Sequence, residues 1–273
     1  MCIRDRSYSV WFYLLTLFLV SNVMFTVGTF MNERFLFVPS VGFTLVLSWL
    51  LIRVIPEKLN VPKFLPFVLM GLLGIGYSVK GFTRVPAWEN TLTLNQASIK
   101  VSTNSARANL FMGTALFNES KEVTDRERKK ELIEQADVYI SKAVEIHPGY
   151  GSAWNMYAGM AAQKYSFDND LGKLFSRFKE VIRHRPNLKY VFEYCEYMNG
   201  RFGNSPELLN FYIDVGNMLA KEKGEYDNAI HYLGYGYNLT QTDTTLLETI
   251  GNTYRLAGNE YRAKEYLGKI GKE

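Results

Sequence analysis

An all-α protein, with about three transmembrane helices followed by a repeat-built helical solenoid, is what three observations predict. Long uncharged runs fill the first eighty of 273 residues. The positive charge is confined to the same part: residues 1–80 hold seven Lys/Arg and three Asp/Glu, and the other 193 residues hold 24 of each. From Asn104 onward, small and large apolar residues recur at helical spacing. A basic excess between and beside apolar runs is membrane-flank chemistry. A nucleic-acid surface needs basic residues gathered on one folded face, so no nucleic-acid partner is expected.

The first six residues, "MCIRDR", read as a non-native leader and are set apart from the fold. They make a poor signal peptide, because the apolar run after them is too long and no small-residue cleavage site follows. The chain is accordingly expected to be part of a longer protein. A transmembrane region is predicted over 7–82, with spans at about 8–30, 35–53 and 62–82. Val10 to Phe30 gives 21 uncharged residues, Phe35 to Ile52 gives 18, and Phe64 to Val79 gives 16 before its flanks are included. Roughly 20 apolar residues cross a hydrocarbon core of about 30 Å. Lys80 has a stem long enough to snorkel to the interface.

Charge asymmetry sets an expected orientation. The loop "RVIPEKLNVPK" carries Arg53, Lys58 and Lys63, whereas the opposite turn "MNER" carries only Arg34. The positive-inside bias places the longer loop in the cytoplasm, and the turn and the C-terminal region outside, against a mild contrary signal from Lys80 and Arg84. A membrane-proximal linker is expected over 83–103, and the repeats over 104–273.

In the last unit, "TIGNTYRLAGNEYRAKEYLGKI", Gly251, Tyr254, Gly258, Ala263, Leu267 and Ile270 stand at offsets 0, 3, 7, 12, 16 and 19. That is the residue code of a tetratricopeptide repeat, in which small residues let two antiparallel helices approach and large ones fill the groove to the next pair. The preceding unit, with Gly216, Leu219, Gly224, Ala229 and Leu233, has one inserted residue. Gly113 and Leu116 match Ala136, Ile140 and Ala143 once about 11 residues are inserted near "KEVTDRERKKELIEQ". A degenerate unit runs from Trp154 and Gly159 to Leu174, Phe178 and Val181. No unit buries its apolar face alone, so stacking makes the core.

Chemistry-bearing motifs are sparse. "GLLGIG" (Gly71, Gly74, Gly76) has no strand before it and reads as close helix packing. His147, His184 and His231 lack ligand-spaced partners, and Cys2 and Cys195 lie far apart, so neither a metal site, a disulfide nor a bound cofactor is expected. Asn118-Glu-Ser and Asn238-Leu-Thr are glycosylation acceptor patterns. The many Tyr and Phe are assigned to repeat-core and interfacial positions. First-helix residues Asn109, Asn155, Asn217, Asn252 and Arg255 are the candidates for a concave face that holds a peptide or protein segment. Glu33 and Arg34 either make a charged turn between spans or form a site where the guanidinium binds a lipid-linked phosphate and Glu33 orients it. Pro39 can kink the span behind them, and Gly42 permits close packing.

The segment "NVMFTVGTFMNERFLFVPSVGF" resembles the "N…VG…ER.LY.PS.GF" stretch of the transmembrane and tetratricopeptide-repeat O-mannosyltransferases and their bacterial relatives. "GFTRVPAWENTLTLNQASIKVSTNSARANLFMG" is similar to the segment joining their last span to the first repeat, with Trp88 and Glu89 at a Trp-Glu pair. The resemblance implies a sugar transferase using a polyprenyl-phosphate donor on the extracytoplasmic face. It would be integral to a membrane, a bacterial inner membrane, with repeats on that outer side engaging the acceptor. The family's catalytic carboxylate lies in its first extracytoplasmic loop, and no position here matches it. The chain is therefore expected to be a C-terminal part, inactive alone. The alternative is a non-catalytic membrane-anchored repeat scaffold.

Overall fold

A computed structural model describes residues 3–21, 33–59, 62, 64–203 and 205–270, and every regular element among them is helical. Two compact units divide near Pro86.

In the first unit, α1 (Ile3–Val20), α2 (Glu33–Trp49), α3 (Ile55–Leu59) and α4 (Leu65–Arg84) carry the apolar runs. A π-helical turn, Leu50–Val54, joins α2 to α3. Phe35–Lys58 and Leu65–Trp88 are each 24 residues long and apolar enough to cross a membrane. At about 1.5 Å per residue each reaches about 36 Å. The most apolar stretches of the two are only 11% and 6% buried, unlike the core helices of a water-soluble protein. The first expected span is represented by a shorter apolar stretch, Ser7–Leu19; its residues 22–30 lie outside the described residues.

α1 packs on α2 through Gly42, where a Cβ would stand 2.6 Å from the Ser9 carbonyl and 3.0 Å from Tyr13. Among the described residues, the packing expected for Gly71, Gly74 and Gly76 is not found. A Cβ at any of the three meets nothing within 4 Å, so these glycines shape an open helix face.

In the second unit, the turn before α5 (Thr91–Val101) is closed by a reciprocal cap. Asn90 Oδ1 accepts from the Thr93 amide at 2.8 Å, and Thr93 Oγ1 accepts from the Asn90 amide at 3.2 Å. The expected 83–103 linker is thus mostly helix. The array follows as α6 (Ala106–Glu122), α7 (Arg126–Ile146), α8 (Gly151–Asp168), α9 (Leu171–His184), α10 (Lys189–Phe202), α11 (Pro206–Asn217), α12 (Tyr226–Leu239), α13 (Thr244–Leu256) and α14 (Glu260–Leu267). Side chains at the N-caps open most of them: Asp125, Asp170, Asp243 and Asn259 each accept a backbone amide three residues on.

The repeat code places its small residues at helix contacts. A Cβ on Gly113 would meet Ile140 at 2.6 Å, one on Gly216 would meet Leu233 at 2.5 Å, and one on Gly251 would meet Leu267 at 2.6 Å. The 11-residue insertion in the first unit becomes three extra helical turns shared by α6 and α7, which are 17 and 21 residues long and joined by only Val123–Asp125. The single inserted residue of the Gly216 unit is taken up by a π-helical turn, Met218–Lys223, where the Gly224 amide donates to the Leu219 carbonyl. Gly224 ends that turn at φ 67°, a conformation open to glycine. In the degenerate unit Gly159 meets nothing within 4 Å, and the fully buried small residue is its neighbour Ala158.

Neighbouring helices stand in two rows. One row holds α6, α8, α10 and α12, and the other α9, α11 and α13. α10 belongs to no pair read from the sequence, and its insertion exchanges the rows: α6 and α8 open their units in the first row, α11 and α13 in the second.

Candidate functional site

The row exchange decides the fate of the proposed concave face. Asn109 and Asn155 lie in the first row, and Asn217, Asn252 and Arg255 in the second, so the five do not line one surface. Asn109 is fully buried, and its Nδ2 donates to the Thr103 and Ser105 carbonyls, both at 2.9 Å. It fixes the chain entering α6 and presents nothing outward. Asn155 is exposed, and Asn217 donates back to the Ile213 carbonyl at 3.1 Å. Arg255 donates to Asn252 Oδ1 at 3.3 Å and stands 3.9 Å from Glu260. Glu33 opens α2 with Arg34 next, and the side chains of both lie outside the described residues.

The histidines serve packing. His184 stacks on Trp154 at 4.4 Å between ring centres, while Trp154 Nε1 donates to the Pro148 carbonyl at 2.7 Å. Buried Cys195 has its thiol pushed up to about 12, above all by burial, which keeps it protonated and unreactive. Tyr212 beside it donates to Asn199 Oδ1 at 2.6 Å.

A charged node ties three helices together. Asp137 of α7 is approached by Arg177 Nη1 of α9 at 2.6 Å and Lys164 Nζ of α8 at 2.8 Å. The arginine contact is close but off hydrogen-bond angle, leaving Oδ1 without an aligned donor. The guanidinium lies 3.9 Å from the centre of the Tyr157 ring, whose hydroxyl donates to Glu180 at 2.7 Å. Burial first, then the Glu180 hydrogen bond, pushes the Tyr157 phenol up to about 12. A cleft of about 480 Å³ opens beside this node, but its cations Lys164, Lys173 and Arg177 already face Asp137, Asp168 and Asp170.

A second cleft, of about 470 Å³, lies between α8 and α10. Tyr190, Tyr194, Tyr197 and Arg201 form one stripe of α10, at the three- and four-residue steps that share a helix face. Ring centres are 6.1 Å apart for Tyr190 and Tyr194, and 5.4 Å for Tyr194 and Tyr197. Arg201 donates to the Tyr197 hydroxyl at the far end. Tyr165 of α8 forms the facing wall with Gln163 and Asn169. The hydroxyls of Tyr165, Tyr190 and Tyr194 take no protein partner among the described residues. Burial pushes the Tyr194 phenol up to about 12.

The chain is similar to protein O-mannosyl-transferases. It is 26% identical over 212 residues to "Protein O-mannosyl-transferase TMTC3" of Homo sapiens, a match covering 77% of this chain and 20% of that protein. Drosophila melanogaster Tmtc3 is 23% identical over 219 residues, with 77% and 20% covered. Xenopus laevis tmtc2 is 34% identical over 102 residues, covering 37% of this chain and 12% of that one. The chain thus spans 20% of the length of the TMTC3 relatives it matches. No family model matches. Among solved structures, the human IFIT1 dimer with PPP-AAAA gives a TM-score of 0.37 at 14% identity, covering 97% of this chain and 63% of that one. At that score the likeness carries no structural argument.

The cleft residues escaped sequence reasoning because aromatic residues in a repeat array are first assigned to the core. The available signal was the stripe at 190, 194, 197 and 201, which ends on an arginine.

Proposed function

We propose that this chain carries the membrane-exit and repeat part of a membrane O-mannosyl-transferase that draws sugar from a polyprenyl-phosphate donor and holds its acceptor protein on the repeats. One observation carries the reading. Two membrane-length helices and a helical repeat array share a chain whose sequence matches O-mannosyl-transferases over 77% of its length. The repeats stand on the side opposite Arg53, Lys58 and Lys63, by the positive-inside bias. Arg34 binds the lipid phosphate through its forked donors, and Glu33 orients it.

Retention of a polyprenyl phosphate by the chain in lipid nanodiscs tests this. Arg34→Ala is expected to lower retention about tenfold, roughly 1.4 kcal/mol. Equal retention by both forms overturns the role of Arg34. Absence of any retention, with the fold intact, favours a non-catalytic repeat scaffold. Sidedness has its own test, since Asn118 and Asn238 are both exposed and stand in acceptor sequences. Expression in eukaryotic cells should give a glycosidase-sensitive mass shift that disappears in Asn118→Gln/Asn238→Gln. No shift would place the repeats in the cytosol.

A further inference from the structure

We infer that the cleft between α8 and α10 is a docking site for an extended, proline-rich peptide segment. The inference rests on the reading of the repeats as a peptide-holding surface, and narrows it to one place and one chemistry. Three features of the cleft converge.

The first is its donor balance. Phenol hydroxyls of Tyr165, Tyr190 and Tyr194, which can donate or accept, stand without protein partners among the described residues, and the Arg201 guanidinium adds donors only, beside Glu193 and the Gln163 and Asn169 amides. Such a surface suits a ligand rich in acceptors and poor in donors. A run of prolines has a carbonyl at every residue and no amide N–H.

The second is shape. The Tyr190, Tyr194 and Tyr197 rings stand 5.4–6.1 Å apart and are tilted from one another by 32° and 57°, so they present a ridged aromatic surface and not one flat stack. Aromatic-lined grooves of this kind take the ridged polyproline II helix, which arrives already ordered and loses little entropy on docking. The third is length. From Tyr190 to Arg201 is 11 residues of helix, about 16 Å, and an extended proline helix rising about 3.1 Å per residue covers it with about five residues.

The neighbouring 480 Å³ cleft does not share this character, because its charges are paired with one another. Tyr197 is 48% exposed, and among the described residues its only hydrogen bond comes from Arg201 on the same helix, so it can be removed without opening the core.

The test is a titration of the full chain in nanodiscs with a fluorescein-labelled octaproline, followed by fluorescence polarisation. A saturable micromolar curve is expected, with a glycine-serine octamer at least tenfold weaker. Tyr197→Ala should weaken octaproline about tenfold. Tyr194→Phe, which keeps the ring and removes the hydroxyl, should weaken it three- to fivefold with an unchanged circular dichroism spectrum. Equal binding of the two peptides, no effect of Tyr197→Ala, or competition by a mannose oligosaccharide with octaproline inert would each overturn the inference. Peptide binding needs no lipid donor. Loss of polyprenyl-phosphate retention with peptide binding intact would sink the transferase reading alone, and the reverse result would sink this one alone.

Discussion

The unit before Pro86 and the unit after it use the same residue types in opposite directions. Phe37, Tyr77 and Phe82 are 76%, 74% and 83% exposed in the first, while Phe178, Tyr212 and Tyr232 are fully buried in the second. In the first, backbone hydrogen bonds close within single helices, and the side chains face outward into what is hydrocarbon for a membrane span. In the second, each helix hides a stripe against its neighbours because water surrounds it. Helix content does not separate the two units. The direction of the large side chains does.

Alkali should separate them most strongly. Tyr157 and Tyr194 are held neutral by burial, with phenols pushed up to about 12, and the same cause holds Tyr212 and Tyr232 higher still. An unfolded tyrosine titrates near 10. A raised folded pKa means the neutral form is favoured by folding, so this stability is complete below about pH 10 and is lost as pH rises towards about 12. Circular dichroism in nanodiscs should show the repeat helices melting over that window while the membrane-length helices persist. Simultaneous loss of both would break the contrast.

Trp154→Ala comes next. The side chain is 2% exposed, anchored to Pro148 and stacked on His184, so its removal should cost about 3–5 kcal/mol in urea unfolding of the repeats. Asp137→Ala leaves Arg177, whose side chain is 17% exposed, without its ion pair, and should cost about 3 kcal/mol by the same measurement. The glycines give the sharpest pair. Gly216→Ala drives a methyl into Leu233 and should cost about 2 kcal/mol. Gly74→Ala meets open space and, by replacing a glycine inside a helix, should raise helix stability by about 0.5–1 kcal/mol. A loss of stability at Gly74 would show that this face is packed in the membrane.

Those glycines also mark what was legible in the sequence. Gly42, Gly113, Gly216 and Gly251 lie at the close approaches expected, because a missing Cβ beside a fixed large partner is a local code. Both insertions were visible as counts, though not how the chain absorbs them: by three turns in one unit and a π-helical turn in the other. For Gly71, Gly74, Gly76 and Gly159 no close approach is found among the described residues; a glycine in an apolar run reads the same whether it is packed or open. Asn109 was misread because first-helix position does not reveal that the side chain turns back onto Thr103. The cleft was illegible for a larger reason. Its walls come from α8 and α10, which lie side by side in one row, and row membership depends on how many helices lie between two units.

That count has a consequence for how the protein could change. Removing the fourteen residues of α10 would not simply shorten the array, because the helices after it would trade front for back. Loss of an ordinary helix pair keeps the pattern in phase, whereas gain or loss of one helix works like a frameshift written in helices. α10 is therefore a phase element. Its presence makes each face a hybrid, with opening helices along one half and closing helices along the other.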